Sequence, residues 1–217
     1  MANDWFRRKT WTELDRKAFF ERLDRSRSTA NKAQYLRIQA VELLEVGTKE
    51  STLAAINLLQ ILLEKYPAHG EIALAYSCLG ECQEFLGQLD DAIDSYRKAL
   101  QHQRIFPNMR TNAHLDFAQL VAVHRMQSEY GEALSHLDEW SSPHIFPVME
   151  FMEFSARAMI QHEKGENALA RQCARRALDA AARTHSGLRY HATLGLVGER
   201  WVDQLKQLRK MVADDQH

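Results

Sequence analysis

A chain of 217 residues with 45% hydrophobic and 26% charged side chains can bury a sizeable core and lies outside the range of disordered proteins. Its formal net charge of −1 argues against a general attraction to nucleic acid or to an anionic membrane surface. Only four prolines and nine glycines interrupt the chain, so the composition favours an all-α fold over a turn-rich β fold.

The chain shows no signal for export or for membrane insertion. Its first residues, MANDWFRRKTWTELDRK, contain no apolar stretch of secretory length, and its longest apolar segment, LAAINLLQILL, is too short to span a bilayer. Cys78, Cys82 and Cys173 are an odd number at spacings that fit neither a disulfide framework nor a zinc site. We therefore expect a cytoplasmic protein with reduced thiols, no metal, no cofactor and no membrane partner.

The first predicted element is a helix that begins after Thr10, which can form a capping box with Glu13. Aromatic residues precede this helix, and apolar residues follow one face of it: Trp5, Phe6, Trp11, Leu14, Phe19, Phe20 and Leu23. We interpret residues 1–29 as an N-terminal cap over the next helices.

The four prolines, Pro67, Pro107, Pro143 and Pro147, separate stretches of helical periodicity. Between the first two, apolar residues recur at three-and-four spacing in two stripes on either side of Gly87. This pattern predicts a helical hairpin that turns at that glycine.

The hairpin segment YSCLGECQEFLGQLDDAIDSYRKA contains small residues at unusual places. Gly80 costs about 1 kcal/mol relative to alanine inside a helix, so we expect a second helix to approach it too closely for a Cβ atom. Ala92 and Ala99 meet the same need on the second helix, and Tyr76 and Tyr96 fill the space around the small residues.

These residues carry a family resemblance. The order Tyr76, Leu79, Gly80, Gly87, Ala92, Tyr96, Ala99 resembles the tetratricopeptide repeat, a helix-turn-helix unit of about 34 residues. The sequence departs from the family pattern at Gln83 and Arg104. The resemblance implies a right-handed superhelical solenoid of stacked antiparallel hairpins, with about ten helices in this chain.

Weaker copies of the pattern occur on both sides of this hairpin. The third copy follows Phe117, Leu120, Tyr130, Ala133 and Leu137; the fourth follows Phe154, Ala158, Gly165, Ala170, Ala174, Ala177 and Leu178; the first includes Ala55, Leu59 and Leu62. We predict four degenerate repeats over residues 30–183, because a single hairpin would leave an apolar face uncovered.

Residues 184–217 are predicted to form a turn and a capping helix. Gly187, Gly195 and Gly198 could frame an anion near Arg189 and His191, which is the basis of an alternative reading as a small-molecule-binding protein or enzyme. The preceding basic residues, Arg171, Arg175, Arg176 and Arg183, point in spread directions and lack interleaved aromatics, so we expect a solvated face and no nucleic-acid binding.

In the family, the first helix of each hairpin lines a concave groove that holds an extended peptide or a partner helix. The resemblance places the following residues in that groove: Ser77, Glu81, Glu84, Phe85, Gln119, Ala122, Arg125, Met126, Met152, Ser155, Met159 and His162. We expect Arg125 and Met159 to face solvent. Family members that bind the C-terminal carboxylate of a partner carry Lys and Asn at certain groove positions. In this sequence those positions hold Glu81, Ala118 and Ala122, which argues against a carboxylate-binding site of that kind.

The sequence thus favours a protein–protein interaction module, an adaptor, scaffold or sequestering protein without catalytic residues, that binds a segment of another protein. Two alternatives stay open: the enzyme or small-molecule site at Arg189 and His191, and an architectural subunit that self-associates, for example as a homodimer. The groove could also be filled by the chain's own termini.

Overall fold

The computed structural model describes residues 4–141 and 143–213. Within these ranges the chain forms ten α-helices, two short 3-10 helices and no strand, which confirms the predicted all-α fold. The α-helices are α1 Glu13–Arg25, α2 Thr29–Leu44, α3 Lys49–Lys65, α4 His69–Phe85, α5 Leu89–Ile105, α6 Ala113–Val123, α7 Tyr130–Glu139, α8 Pro147–Glu163, α9 Asn167–Ala181 and α10 Val202–Ala213. The 3-10 helices are Gln127–Glu129 and Glu199–Trp201.

The chain divides into two compact units, of which the first ends at Ala113 and the second begins at His114. Consecutive helices pack against each other as hairpins, α2 with α3 and α4 with α5 in the first unit, and α8 with α9 in the second. Phe117 of α6 and His136 of α7 are in edge-to-face contact at 5.2 Å, and α10 packs on α8 and α9. The arrangement is that of a helical-repeat protein.

The N-cap residue of helix α1 lies two residues later than predicted. Thr12, not Thr10, is the N-cap residue: its hydroxyl oxygen accepts a hydrogen bond from the Asp15 N–H at 3.2 Å, and the Asp15 carboxylate accepts one from the Thr12 N–H at 3.1 Å. Hydrogen bonds from the Thr12 hydroxyl and N–H lower the pKa of Asp15 to about 2. The box is therefore Thr12 with Asp15, in which an aspartate takes the N3 position usually held by glutamate or glutamine.

The N-terminal segment of the first unit lies on α2. The Trp5 ring contacts Phe19 at 5.2 Å and Tyr35 at 5.0 Å between centroids. Fully buried Gln39 accepts a hydrogen bond from the Arg8 N–H at 3.0 Å and donates one to the Arg8 carbonyl at 2.7 Å. These paired hydrogen bonds satisfy a buried amide and hold the segment in place.

Helices α4 and α5 approach each other closely at Gly80. A Cβ atom on Gly80 would lie 2.5, 2.7 and 2.9 Å from three ring carbons of Tyr96, which is itself fully buried. Ala92 and Ala99 of α5 are also fully buried. The absence of side-chain atoms at position 80 thus lets the Tyr96 ring pack directly against α4.

The four turns that follow α2, α4, α6 and α8 share one backbone feature. Each contains a residue with positive φ: Gly47 at 72°, Gly87 at 74°, Arg125 at 53° and Gly165 at 78°. The four positions lie about 40 residues apart. Glycine adopts this conformation without strain, whereas a residue with a Cβ atom does not.

The positive φ of Arg125 should therefore lower the stability of the fold. We expect Arg125→Gly to raise the free energy of unfolding by up to about 1 kcal/mol, because glycine adopts a positive φ without strain. The loss of the ion pair between Arg125 and Glu163 should cost little, since the Arg125 side chain is 72% exposed. Urea denaturation would measure the change. Arg125→Ala is the control, since it removes the same ion pair but keeps a Cβ atom, and it should give no gain; an equal gain for both variants would contradict the strain explanation.

The core of the second unit joins α8, α9 and α10. Phe151, Ala174, Ala177 and Leu208 are fully buried within it. The Trp201 ring meets Phe151 edge to face at 5.3 Å between centroids. Alanines along α9 allow the neighbouring helices to approach closely, and α10 fills the remaining apolar face.

Candidate binding cleft

The second unit contains an open cleft of about 520 Å³. It lies between the end of α6, the turn at Arg125, the end of α8 and the length of α10. Its apolar lining consists of Ala122, Val123, Met159, Trp201 and Met211. Methionine side chains adapt to varied shapes, so this surface suits an apolar ligand of irregular outline.

Polar side chains surround the apolar floor. Those before α10 are Arg125, His162 and Glu163, and those of the C-terminal region are Arg200, Asp203, Gln204, Gln207 and Lys210. The Arg125 guanidinium and the Glu163 carboxylate are 3.3 Å apart at the rim. The site therefore combines an apolar floor with charged edges, which is the usual composition of a surface that binds protein segments.

Helix α10 forms one complete wall of the cleft. One face of this helix is apolar: Leu208 is fully buried, and Leu205, Met211 and Val212 are partly buried against the core of α8 and α9. The next face carries Gln204, Gln207 and Lys210 toward the cleft. The helix is thus fixed by its apolar side while its polar side lines the site.

A chain of buried polar groups ties α6, α8 and α10 together beside the cleft. The Gln119 Nε2 donates to the Met152 carbonyl and to the Ser155 hydroxyl, both at 2.6 Å, and its Oε1 accepts from Gln204 Nε2 at 2.8 Å. Gln119 and Ser155 are buried. Because the Met152 carbonyl can only accept, it fixes the orientation of the Gln119 amide and hence of Gln204.

The structure separates the predicted groove residues of the second unit into two groups. The first group, which lines the cleft, consists of Ala122, Arg125, Met159 and His162. Gln119, Met152, Ser155 and Met126 do not line it: the first three are buried in or beside the polar chain, and Met126 is half-buried as the N-cap of a 3-10 helix. The C-terminal helix thus occupies part of the surface that the family resemblance assigns to a ligand.

One expectation about this surface was wrong. Arg125 is exposed as expected, but Met159 is only 6% exposed because it forms the floor of the cleft among α6, α8 and α10. A charge at position 159 would therefore disturb the fold as well as the site.

The four predicted groove residues of the first unit lie along α4. Ser77 is buried, and Glu84 accepts a hydrogen bond from the Tyr96 hydroxyl at 3.0 Å. Glu81 and Phe85 are exposed, with 49% of the Phe85 surface accessible. Glu84 thus holds the Tyr96 ring in place against Gly80, which is a packing role.

Sequence reasoning missed the contribution of α10. The cleft is lined by Gln204, Lys210 and Met211 of α10 and by Trp201 of the preceding 3-10 helix, whereas the sequence alone suggested only a cap. A signal was present, because Trp201, Leu205, Leu208, Met211 and Val212 recur at helical spacing and leave the polar side chains on the neighbouring face.

The turn at Arg189 and His191 is held by local hydrogen bonds. The Ser186 hydroxyl donates to the His191 carbonyl at 2.7 Å, and the Ser186 N–H donates to the Ala192 carbonyl at 2.7 Å. Arg189 lies over the Tyr190 ring at 5.3 Å, and the Arg189 and His191 side chains are exposed. Neither residue lines the cleft described above.

A second cleft of about 530 Å³ in the same unit is polar. On its lining, His144 Nε2 lies 2.6 Å from Glu153 Oε2, and each side chain is only 7% exposed. Arg157 Nε lies 2.9 Å from the other Glu153 oxygen, and Arg157 also pairs with Asp138 at 2.8 Å. Burial alone would raise the pKa of Glu153. The hydrogen bonds and charges of His144 and Arg157 lower it by more, so the pKa of Glu153 lies below its ordinary value.

The basic face of α9 is partly neutralised at this cleft. Arg176 and Arg183 lie 3.0 and 2.8 Å from the two oxygens of Glu150. The Arg176 guanidinium also stacks 3.8 Å from the centroid of the Phe154 ring. These contacts give a structural role to Arg176 of α9 and to Arg183, which lies two residues after that helix ends.

The three cysteines form no disulfide bond, and Cys82 is buried. Burial raises the pKa of the Cys82 thiol to about 12 and also raises the pKa of Cys173. Both thiols are therefore protonated at neutral pH and are poor nucleophiles. In the described ranges, no three His, Cys, Asp or Glu side chains are placed to hold a metal ion together.

Among the helices of the described residues, none combines the length and the apolar character needed to cross a bilayer.

Comparisons of the chain with known protein families, with curated proteins and with solved structures gave no match.

Proposed function

We propose that the chain is a protein-binding module of the tetratricopeptide-repeat type, which holds an apolar or amphipathic segment of another protein in the cleft of its second unit. The observation that carries the proposal is the open apolar floor at the end of α6 and α8. Val123 is 50% exposed there beside Ala122 and Met159. Apolar surface gathered in a concave site with a polar rim is typical of a binding surface.

The size of the cleft supports a segment as the ligand. A volume of about 520 Å³ accepts a few side chains and not a whole domain. A partner would insert its apolar side chains into the floor and keep its polar residues at the rim. Repeat proteins bind helices and extended peptides in this way.

The conformation of Arg125 is a second support. Three of the four equivalent turns contain glycine, whereas the turn at the rim of the cleft keeps an arginine with φ of 53°. A strained residue at a site is a reason to assign a role to its side chain. We propose that Arg125 contacts the partner.

The family proposal rests on the small residues of α4 and α5 and on the four turns about 40 residues apart. A cytoplasmic location is part of the same proposal, since cysteines that form no disulfide bond suit a reducing compartment. The adaptor, scaffold and sequestering roles all follow from the same binding step.

Val123→Glu is the direct test of the cleft. A carboxylate on the apolar floor should weaken partner binding by about 1–3 kcal/mol, roughly five- to 150-fold, because the bound segment would desolvate it. Affinity capture from extracts with the wild type and the variant, followed by quantification of each bound protein, measures the effect. Since Val123 is half exposed, the variant should unfold within about 0.5 kcal/mol of the wild type.

The matched control is Leu169→Glu. Leu169 is 48% exposed on α9 and lies outside the cleft lining, so this variant carries the same charge on an equally exposed apolar position. A true partner is retained by Leu169→Glu and lost by Val123→Glu. If every captured protein binds all three forms equally, the cleft is not the binding site; if the chain captures mainly itself, the architectural alternative replaces the proposal.

A further inference from the structure

The charges that line the cleft are unevenly compensated. Its two carboxylates are both engaged in ion pairs, Glu163 with Arg125 at 3.3 Å and Asp203 with Lys206 at 3.0 Å. Lys206 itself lies outside the lining. The negative charge of the site is therefore already balanced by neighbouring cations.

Two cations on the same wall lack such compensation. In the part of the chain that the structure describes, Arg200 and Lys210 line the cleft and make no ion pair. The Arg200 guanidinium lies 4.4 Å from the centroid of the Trp201 ring, a contact that keeps it beside the apolar floor. Arg200 lies in the 3-10 helix that precedes α10, and Lys210 lies ten positions later in the last turns of α10.

We propose, on the basis of the function proposed above, that the segment bound in the cleft is acidic and amphipathic. Its apolar side chains contact Val123, Met159 and Met211, and its carboxylates face Arg200 and Lys210. Charge complementarity of this kind increases the rate of association and excludes basic segments. A protein segment fits better than a lipid surface, because the apolar floor lies inside a cleft between helices, where a flat bilayer cannot reach.

The probe is a fluorescein-labelled amphipathic peptide of leucine and glutamate, compared with a twin in which lysine replaces every glutamate. We expect the full-length chain to bind the glutamate peptide at least about tenfold more tightly than the lysine twin, by fluorescence anisotropy at low salt. The preference should shrink as salt is added, since screening weakens exposed charge pairs.

The double variant Arg200→Glu with Lys210→Glu should reverse that preference. The control is Arg189→Glu with Arg209→Glu, which changes the net charge equally on exposed residues of the same unit outside the cleft lining and should keep it. Circular dichroism before each titration confirms that both variants are folded.

If the wild type binds at least one peptide, three results would overturn the acidic-segment proposal: equal binding of the two peptides, an equal loss of preference in the control variant, or binding of anionic phospholipid vesicles with the same dependence on Arg200 and Lys210. If the lysine twin binds as well and Val123→Glu abolishes its binding, the charge preference is wrong while the cleft function stands. If neither peptide binds the wild type, the proposal also fails, and the capture experiment with Val123→Glu judges the binding function separately.

Discussion

Replacing Glu153 by glutamine is expected to lower the free energy of unfolding by about 2–4 kcal/mol. The substitution keeps the side-chain volume but removes the carboxylate that both His144 and Arg157 contact. Arg157 retains its ion pair with Asp138, so the loss is smaller than for a fully isolated buried charge. Urea denaturation monitored by circular dichroism would measure the difference.

The same substitution at Glu150 is the control. Glu150 lies one helical turn earlier on α8 and pairs with Arg176 and Arg183, whose side chains are 58% and 50% exposed. Water can solvate both arginines after the change, so Glu150→Gln should cost about 1 kcal/mol or less. Equal losses at the two positions would show that burial of the His144–Glu153 pair does not determine its contribution.

The pH dependence provides a second measurement on the same variant. Because the folded state lowers the pKa of Glu153, its carboxylate stabilises the fold above the ordinary glutamate value of about 4.3, and this contribution is lost as the pH falls through the folded pKa. The difference in stability between the wild type and Glu153→Gln should therefore shrink as the pH is lowered below about 4. A constant difference down to that range would contradict the assignment.

The helices could be predicted from the sequence because their signals are local. Apolar residues at three-and-four spacing and the prolines between them defined the hairpins, and Gly87 marked the turn at which its φ is 74°. The cap of α1 was misplaced from Thr12 to Thr10, since several residues near that boundary can accept the same hydrogen bonds. Helix boundaries are the least certain part of such predictions.

The cleft could be predicted only in part. Resemblance to a repeat family placed Ala122, Arg125, Met159 and His162 in the groove, and all four line the cleft. The fourth wall comes from α10, whose position depends on the burial of Leu208 against Phe151, more than fifty residues away. No local pattern specifies such a contact, nor the hydrogen bond between Gln119 and Gln204.

The buried pair of His144 and Glu153 was missed for the same reason. His144 lies in the irregular segment before α8, where periodicity gives no information on side-chain direction. Only the folded chain shows that the two side chains share a buried site. Charged residues in loops are therefore the class of residue for which sequence patterns are least informative.

Replacing Gly80 by alanine is expected to destabilise the first unit by about 1–3 kcal/mol, although alanine is the better helix former. The added Cβ atom would lie 2.5 Å from the nearest ring carbon of Tyr96. That ring cannot move away easily, because it is fully buried and its hydroxyl donates to Glu84 at 3.0 Å. Steric overlap should therefore exceed the gain in helix propensity, as measured by urea denaturation.

Gly131→Ala is the matched control for this substitution. Gly131 also lies in a helix, α7, and a Cβ atom there would meet no atom within 4 Å. The same change should therefore leave stability unchanged or raise it by up to about 1 kcal/mol. Opposite signs at positions 80 and 131 would identify the contact, and not the residue type, as the cause.

A double-mutant cycle with Tyr96 decides whether the ring is the obstacle. Tyr96→Ala alone should be costly because it leaves a cavity between α4 and α5. In that background the ring no longer opposes a Cβ atom, so Gly80→Ala should become neutral or stabilising, with a coupling energy of about 1–3 kcal/mol between the two positions. If Gly80→Ala costs the same with and without the ring, the close approach of Tyr96 does not explain the glycine, and the two helices must be held together by other contacts.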